Sequence, residues 1–345
     1  MPRPRRRLPV VVIATLLSVG VAAPGAAADA PLDLFRQTVA RYRDDATRAA
    51  TTHTASQDEA LLDGVDRCLV LVGPVCPVRD VVTGVMLLTD LADAGFGDSE
   101  RRGRTLLAGA LRLGDFLRSR PQLRDGVDPE FLPRWFAHAG RFLTAQRLLP
   151  DARAAIDRAL RDFPSSVDLR VARGLTYEMP AYWDTANYRG TRATLGVALG
   201  EYEQAARTHP SAFEPRLRLA WLRDVLRDRR APDDAASVLT GGADADTIYL
   251  AHLLLAGFAE RRGDAAVALA EYARAQESGP HYKAACIGLS RMQELAGQTA
   301  AAAATAADCL QRHERTELID PWLDIRIGLT PQARVHWLRR EARRP

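Results

Sequence analysis

From Tyr249 to Leu310 the chain states one pattern twice. AHLLLAGFAERRGDAAVALAEYARAQESGP is followed by KAACIGLSRMQELAGQTAAAAATAADCLQ, with an offset of 34 residues that places Gly263 over Gly297, Ala268 over Ala302 and Ala275 over Cys309. Each copy is two amphipathic halves around a small turn residue, which reads as a helical hairpin. A unit of this size cannot bury its apolar side alone, so copies must stack, and the fold class is an all-α array of antiparallel helix pairs.

Composition agrees with that class. Aromatic residues make up 6% of the 345 residues, while alanine, leucine and arginine dominate, which suits close helix packing better than a sheet. The length allows one large or two ordinary domains. The formal charge of +4 gives no argument for nucleic acid. Arg3, Arg5, Arg6 and Arg7 all lie in the first 28 residues, and without that segment the chain is close to neutral. The other paired arginines are interspersed with Asp and Glu, as on a solvated helix face, rather than gathered into the concentrated basic stripe that nucleic acid requires.

Residues 1–28, MPRPRRRLPVVVIATLLSVGVAAPGAAA, run from a basic head through an apolar stretch to Pro24 and a small-residue run. That order predicts a secretory signal peptide cleaved after Ala28 or Ala30, with an exported protein in the periplasm, at the cell envelope or outside the cell. The competing reading is a retained anchor, but the apolar run is shorter than the roughly 20 residues a bilayer span needs. After cleavage no stable membrane span is expected. Export also changes how the four cysteines read. Cys68 and Cys76 bracket LVLVGPV, where Gly73-Pro74 can turn the chain, and this spacing admits a local disulfide. Cys286 and Cys309 sit on the two helices of the last full hairpin, at positions that face each other across it. A disulfide here would close a loop of about two dozen residues and stabilise by roughly 3 kcal/mol on the chain-entropy model; the alternative is two buried thiols.

Along the chain, residues 31–120 are helical without a clear period, either degenerate repeats or a helical cap. RDVVTGVMLLTDLADAG is expected to close at Gly95, and Ser99 with Glu100 marks a helix start. The array proper spans 133–312. Its first repeat places Phe136, Ala139, Gly140 and Leu143 against Ala152, Ile156 and Ala159, and Gly174 follows Gly140 by 34 residues. The period then breaks: Pro210 closes the next unit twelve residues late, which isolates an insertion near 179–190 containing Tyr182, Trp183 and Tyr188. A looser hairpin at 213–240 turns Leu217, Ala220, Trp221 and Val225 inward. Residues 313–345, with Trp322 and Trp337, are expected to cap the open end.

Over 133–312 this sequence resembles tetratricopeptide-repeat proteins of the exported bacterial type with uncharacterised function. The ending also resembles that of bacterial repeat proteins carrying a DPWW-like motif, here DPW with Leu323 in place of the second tryptophan. The resemblance implies a solenoid, a right-handed superhelix of helix pairs whose concave face binds peptides or proteins. It brings no catalytic residues and no cofactor. In that geometry the groove-lining positions of the first helices are Arg134, Arg141, Glu178, Glu260, Arg261, Arg291 and Glu294, a mixed-charge set suited to a polar peptide; ordinary exposed surface is the alternative for each. The aromatic insertion is the stronger binding candidate, because three large rings in a polar loop are costly to expose without a docking partner. Its alternative is that Trp183 folds back onto the neighbouring helices.

Chemistry has less to stand on. No two of the seven histidines share metal-ligand helix spacing, so no metal site is expected, and GGADAD lacks the lysine and strand context of a phosphate loop. The leading expectation is an exported, non-catalytic scaffold for a protein or peptide. The others are an accessory subunit positioning an envelope enzyme or secretion complex, and an enzyme with its site in 31–120. Oligomeric state is left open by the sequence.

Overall fold

The structure, a computed structural model, describes residues 30–44, 55–70, 76–183, 188–280 and 282–313. The expected signal peptide, the Gly73-Pro74 turn and the expected C-terminal cap lie outside the described residues.

Fifteen α-helices are described, and they pack chiefly as consecutive pairs. Helices α1 (Ala30–Asp44) and α2 (Ala55–Val70) form the first pair, and α3 (Val78–Asp98) and α4 (Glu100–Arg118) the second. Then come α5 (Phe131–Ala145) with α6 (Leu149–Asp162), and α7 (Val167–Glu178) with α9 (Tyr188–Thr208), separated by the four-residue α8 (Pro180–Trp183). The last three pairs are α10 (Phe213–Val225) with α11 (Ala231–Leu239), α12 (Ala245–Arg261) with α13 (Ala265–Ser278), and α14 (Lys283–Leu295) with α15 (Thr299–His313). No strand occurs among the described residues.

The apolar residues form successive clusters along the array. One runs from Leu32 to Ala172, the next from Val171 to Phe258, the third from Tyr249 to Met292, and the last joins Cys286, Ile287, Ala306 and Cys309. This is the quasi-one-dimensional core of a solenoid, in which each pair is buried by its neighbours. The N-terminal pairs belong to it. Trp135 of α5 packs its ring over Gly114 of α4 and donates its indole N–H to Thr89 Oγ of α3 at 3.0 Å. Residues 31–120 therefore continue the helical pairing with larger aliphatic contacts (Leu61, Leu87, Leu88, Leu91, Leu106 and Leu107 are fully buried) in place of the small-residue register.

Local signals explain several of the helix ends. Ser99 Oγ accepts from Arg102 N, Ser166 Oγ from Leu169 N and Asp244 Oδ1 from Thr247 N, so each satisfies an otherwise orphan donor of the first turn. Gly95 does not end its helix as expected; α3 runs on to Asp98, and a Cβ at Gly95 would lie 3.2 Å from the backbone of Gly103. That glycine serves a close helix crossing rather than a stop. Gly174 does the same against the ring of Tyr202, 2.3 Å from where its Cβ would be.

The turns inside four of the pairs share one backbone design. Gly263 and Gly297 take left-handed φ values of 79° and 76°, and at the matching places stand Arg147 and Arg227, both at φ 61°. In each turn this residue's N–H bonds three residues back, and the next N–H reaches five back: Leu148 to Leu143, Asp228 to Arg223, Asp264 to Ala259 and Gln298 to Gln293. This is the Schellman closure, which satisfies the last free carbonyls of a helix. Both expected cysteine pairs are disulfides in the structure, Cys68–Cys76 with Cα atoms 5.6 Å apart and Cys286–Cys309 with Cα atoms 6.0 Å apart.

Candidate functional site

The first helices of successive pairs, α5, α7, α10, α12 and α14, carry the expected groove positions, and the structure ties most of those side chains to partners within the fold. Arg141 of α5 places both terminal guanidinium nitrogens on Glu214 of α10, each at 2.9 Å. Glu214 also accepts from Arg218 Nε at 3.1 Å, and Arg218 Nη1 reaches Glu178 of α7 at 3.3 Å. Tyr202 of α9 donates its hydroxyl to the same Glu178 oxygen at 2.5 Å. One polar chain thus joins α5, α7, α9 and α10. Because Arg141 reaches past the neighbouring pair to the one beyond, the first-helix side of the array is its inner, concave side.

The unit recurs further along. Tyr272 of α13 donates to Glu260 of α12 at 2.8 Å, and Glu260 is paired with Arg291 of α14. In both instances a second-helix tyrosine fixes a first-helix glutamate, which in turn binds an arginine on the next first helix. Two further links are Arg261 to Asp224 and the exposed, 4.0 Å approach of Arg134 to Asp168.

Glu178 is fully buried and the Arg218 side chain is 11% exposed. Burial raises the Glu214 carboxyl, but the guanidinium groups of Arg218 and Arg141 outweigh it and hold its pKa at about 2. Burial lowers Arg218, and Tyr202, Glu178 and Glu214 raise it by more, so it stays charged. Such pairs add little over apolar packing, but sliding one repeat past another would strand a buried charge, which is costly. They act as rivets between the first helices of the array.

Of the expected binding residues, Arg141, Glu178, Glu260, Arg261 and Arg291 are engaged in this way, Arg134 remains largely exposed, and Glu294 also has an interaction within the chain. Around Glu260, Arg261 and Arg291 a dent of about 250 Å³ remains, floored by Leu253, Gly257 and Tyr272. Tyr182 and Trp183 fall on α8 and Tyr188 opens α9, while their side chains and residues 184–187 lie outside the described residues. The rivets were missed in the sequence; a glutamate at the end of one first helix with an arginine on the next is their only trace.

Two grooves open on the edges of the array. One, of about 740 Å³, lies where second helices end and first helices begin and carries Asp128, Glu130, Asp162 and Asp168 against Arg124 and His209. The other, of about 950 Å³, lies at the turns of α10–α11 and α12–α13. Among the described residues no cluster of His, Cys, Asp and Glu could hold a metal ion, and no helix is long and apolar enough to cross a membrane. In the 31–120 region three ion pairs link different helices, Asp58–Arg102, Arg43–Asp80 and Asp66–Arg112.

Paired helices, a stacked core and a riveted inner face define a tetratricopeptide-like, all-helical solenoid. No protein-family model and no curated protein matches the sequence. Several solved structures are similar. A thermophilic tetratricopeptide protein of Thermus thermophilus shares 18% identity over 60% of this chain and 98% of its own, with a TM-score of 0.43. A tetratricopeptide repeat protein of Parabacteroides merdae shares 15% over 68% of this chain and 81% of its own, with a TM-score of 0.44. The human IFIT1 dimer solved with PPP-AAAA shares 15% over 81% and 77%, with a TM-score of 0.41.

Proposed function

We propose that the protein is an exported repeat scaffold that binds a protein or peptide segment and performs no chemistry on it. The observation that carries this reading is the Arg141–Glu214 link, which ties the first helices of non-adjacent pairs to one another on one side of the array. A surface ordered before binding loses less entropy on association than one that must be ordered by its ligand. The dent at Glu260, Arg261 and Arg291 and the insertion at 179–190 are the surfaces offered to the partner. Affinity capture from an envelope fraction should recover a protein with the intact chain and lose it when residues 180–190 are deleted; equal recovery by both would remove the insertion from the site, and recovery by neither would overturn the scaffold reading. Export has its own measurement. N-terminal sequencing of the protein from its producing cell should begin at Asp29 or Pro31, and an intact Met1 on protein retained in the cytoplasm would overturn it.

A further inference from the structure

The groove at the turns of α10–α11 and α12–α13 is built differently from the inner face. Its apolar floor is Trp221, Val225, Ala231, Pro232 and Phe258, and its rim carries Arg227, Arg229, Arg261 and Arg262 with Asp224 and Asp228. Both aspartates are already satisfied. Asp224 pairs with Arg261, and Asp228 accepts from the Arg230 side chain and backbone N–H, which hold its carboxyl down at about 2. Arg227, Arg229 and Arg262 are exposed and have no carboxylate partner among the described residues, so the groove keeps a positive surplus.

Two further details describe this edge. Like Arg147 in the α5–α6 turn, Arg227 occupies the left-handed position that Gly263 and Gly297 fill in the regular turns. A residue with a Cβ is strained there, so this turn holds an arginine at the rim against backbone preference. Val225, expected to face inward from its helix register, is instead 38% exposed beside it.

We infer that this edge groove binds an acidic peptide, with carboxylates on Arg227, Arg229 and Arg262 and one apolar side chain on the floor around Val225 and Pro232. Planar guanidinium groups match carboxylates in two-bond geometry. A nucleic acid fits less well. The Trp221 and Phe258 rings are 5% and 1% exposed and offer no face for a base to stack on, and three free cations are short of a backbone-tracking stripe. The inference rests on the binding-scaffold reading and names the chemistry of one partner surface.

The test is fluorescence anisotropy of the full chain with fluorescein-labelled Glu-Glu-Phe-Glu-Glu. Binding should weaken as salt rises and exceed that of Lys-Lys-Phe-Lys-Lys by at least about tenfold. The variant R227G/R229Q/R262Q should bind at least about tenfold more weakly, the scale three exposed charge pairs reach together. Arg101→Gln, exposed on α4 far along the array, should change nothing. Arg227→Gly alone should weaken binding without lowering the melting temperature, because glycine suits the left-handed position. Undiminished binding by the folded triple variant would overturn the assignment. So would tighter binding of a single-stranded oligoadenylate RNA than of the acidic peptide, or a dimer in sedimentation that the triple variant dissociates. Failure of the peptide to bind, with capture through residues 180–190 retained, sinks the edge site alone; failure of both sinks the scaffold reading too.

Discussion

Replacing Glu214 by Gln removes the charge at the centre of the polar chain that spans α5, α7, α9 and α10, with little change in shape. The structure sets the size and the pH dependence of the effect. Glu214 titrates at about 2 in the fold against a usual 4.5. At about 1.4 kcal/mol per unit that difference sets a ceiling of about 3.4 kcal/mol. The side chain is 37% exposed, so solvent screening reduces the expected contribution to about 1–2 kcal/mol. The direction follows from linkage: a carboxyl depressed by folding contributes its full stabilisation above the unfolded pKa, near 4.5, and loses it as pH falls towards about 2. An array can open repeat by repeat, so the readout must be local. Hydrogen exchange of α10 amides in the parent and in Glu214→Gln, corrected for intrinsic rates, should show α10 less protected in the variant by about 1–2 kcal/mol at pH 7. The gap should narrow through pH 4 and largely close by pH 2.5. A gap that does not change with pH, or no gap at pH 7, would refute the argument that the two arginines hold this carboxylate ionised.

Other perturbations test separate parts of the fold. Gly174→Ala puts a Cβ 2.3 Å from the Tyr202 ring, and overpacking of that kind should cost about 1–3 kcal/mol, read as a lowered thermal midpoint; an unchanged midpoint would mean the ring can move aside. Reduction of Cys286–Cys309 releases a clip across 23 residues and should lower the opening free energy of α14 and α15 by about 3 kcal/mol in exchange experiments, leaving α5 and α6 untouched. Thr89→Val keeps the Trp135 ring over Gly114 but removes the acceptor of its indole N–H, so the α3–α5 contact should weaken by about 1 kcal/mol in urea unfolding; an unchanged midpoint would mean the bond contributes nothing.

What sequence could show of this molecule depended on where the physics was local. The 34-residue register is readable where a turn or a close crossing takes a small residue at a fixed place, as at Gly263, Gly297 and Gly174. The N-terminal pairs combine buried leucines with close-crossing glycines such as Gly95 and Gly109 that follow no 34-residue spacing, so only the apolar stripes of their helices were visible. Arg147 and Arg227 were invisible as turn residues, since nothing about an arginine announces a left-handed φ. The rivets were hidden for a different reason: Arg141 and Glu214 are 73 residues apart, and their meeting depends on the curvature of the whole array. That meeting also alters the reading of the candidate site. Most charges assigned to a peptide groove by their helix positions are paired within the fold, so the inner face supplies shape with few free charges. The uncompensated cations lie instead at an edge turn, where a strained arginine stands in a position the regular repeats give to glycine. Recognition of a charged partner is therefore best sought where the repeat pattern is broken, because the regular positions already have their counter-charges within the fold.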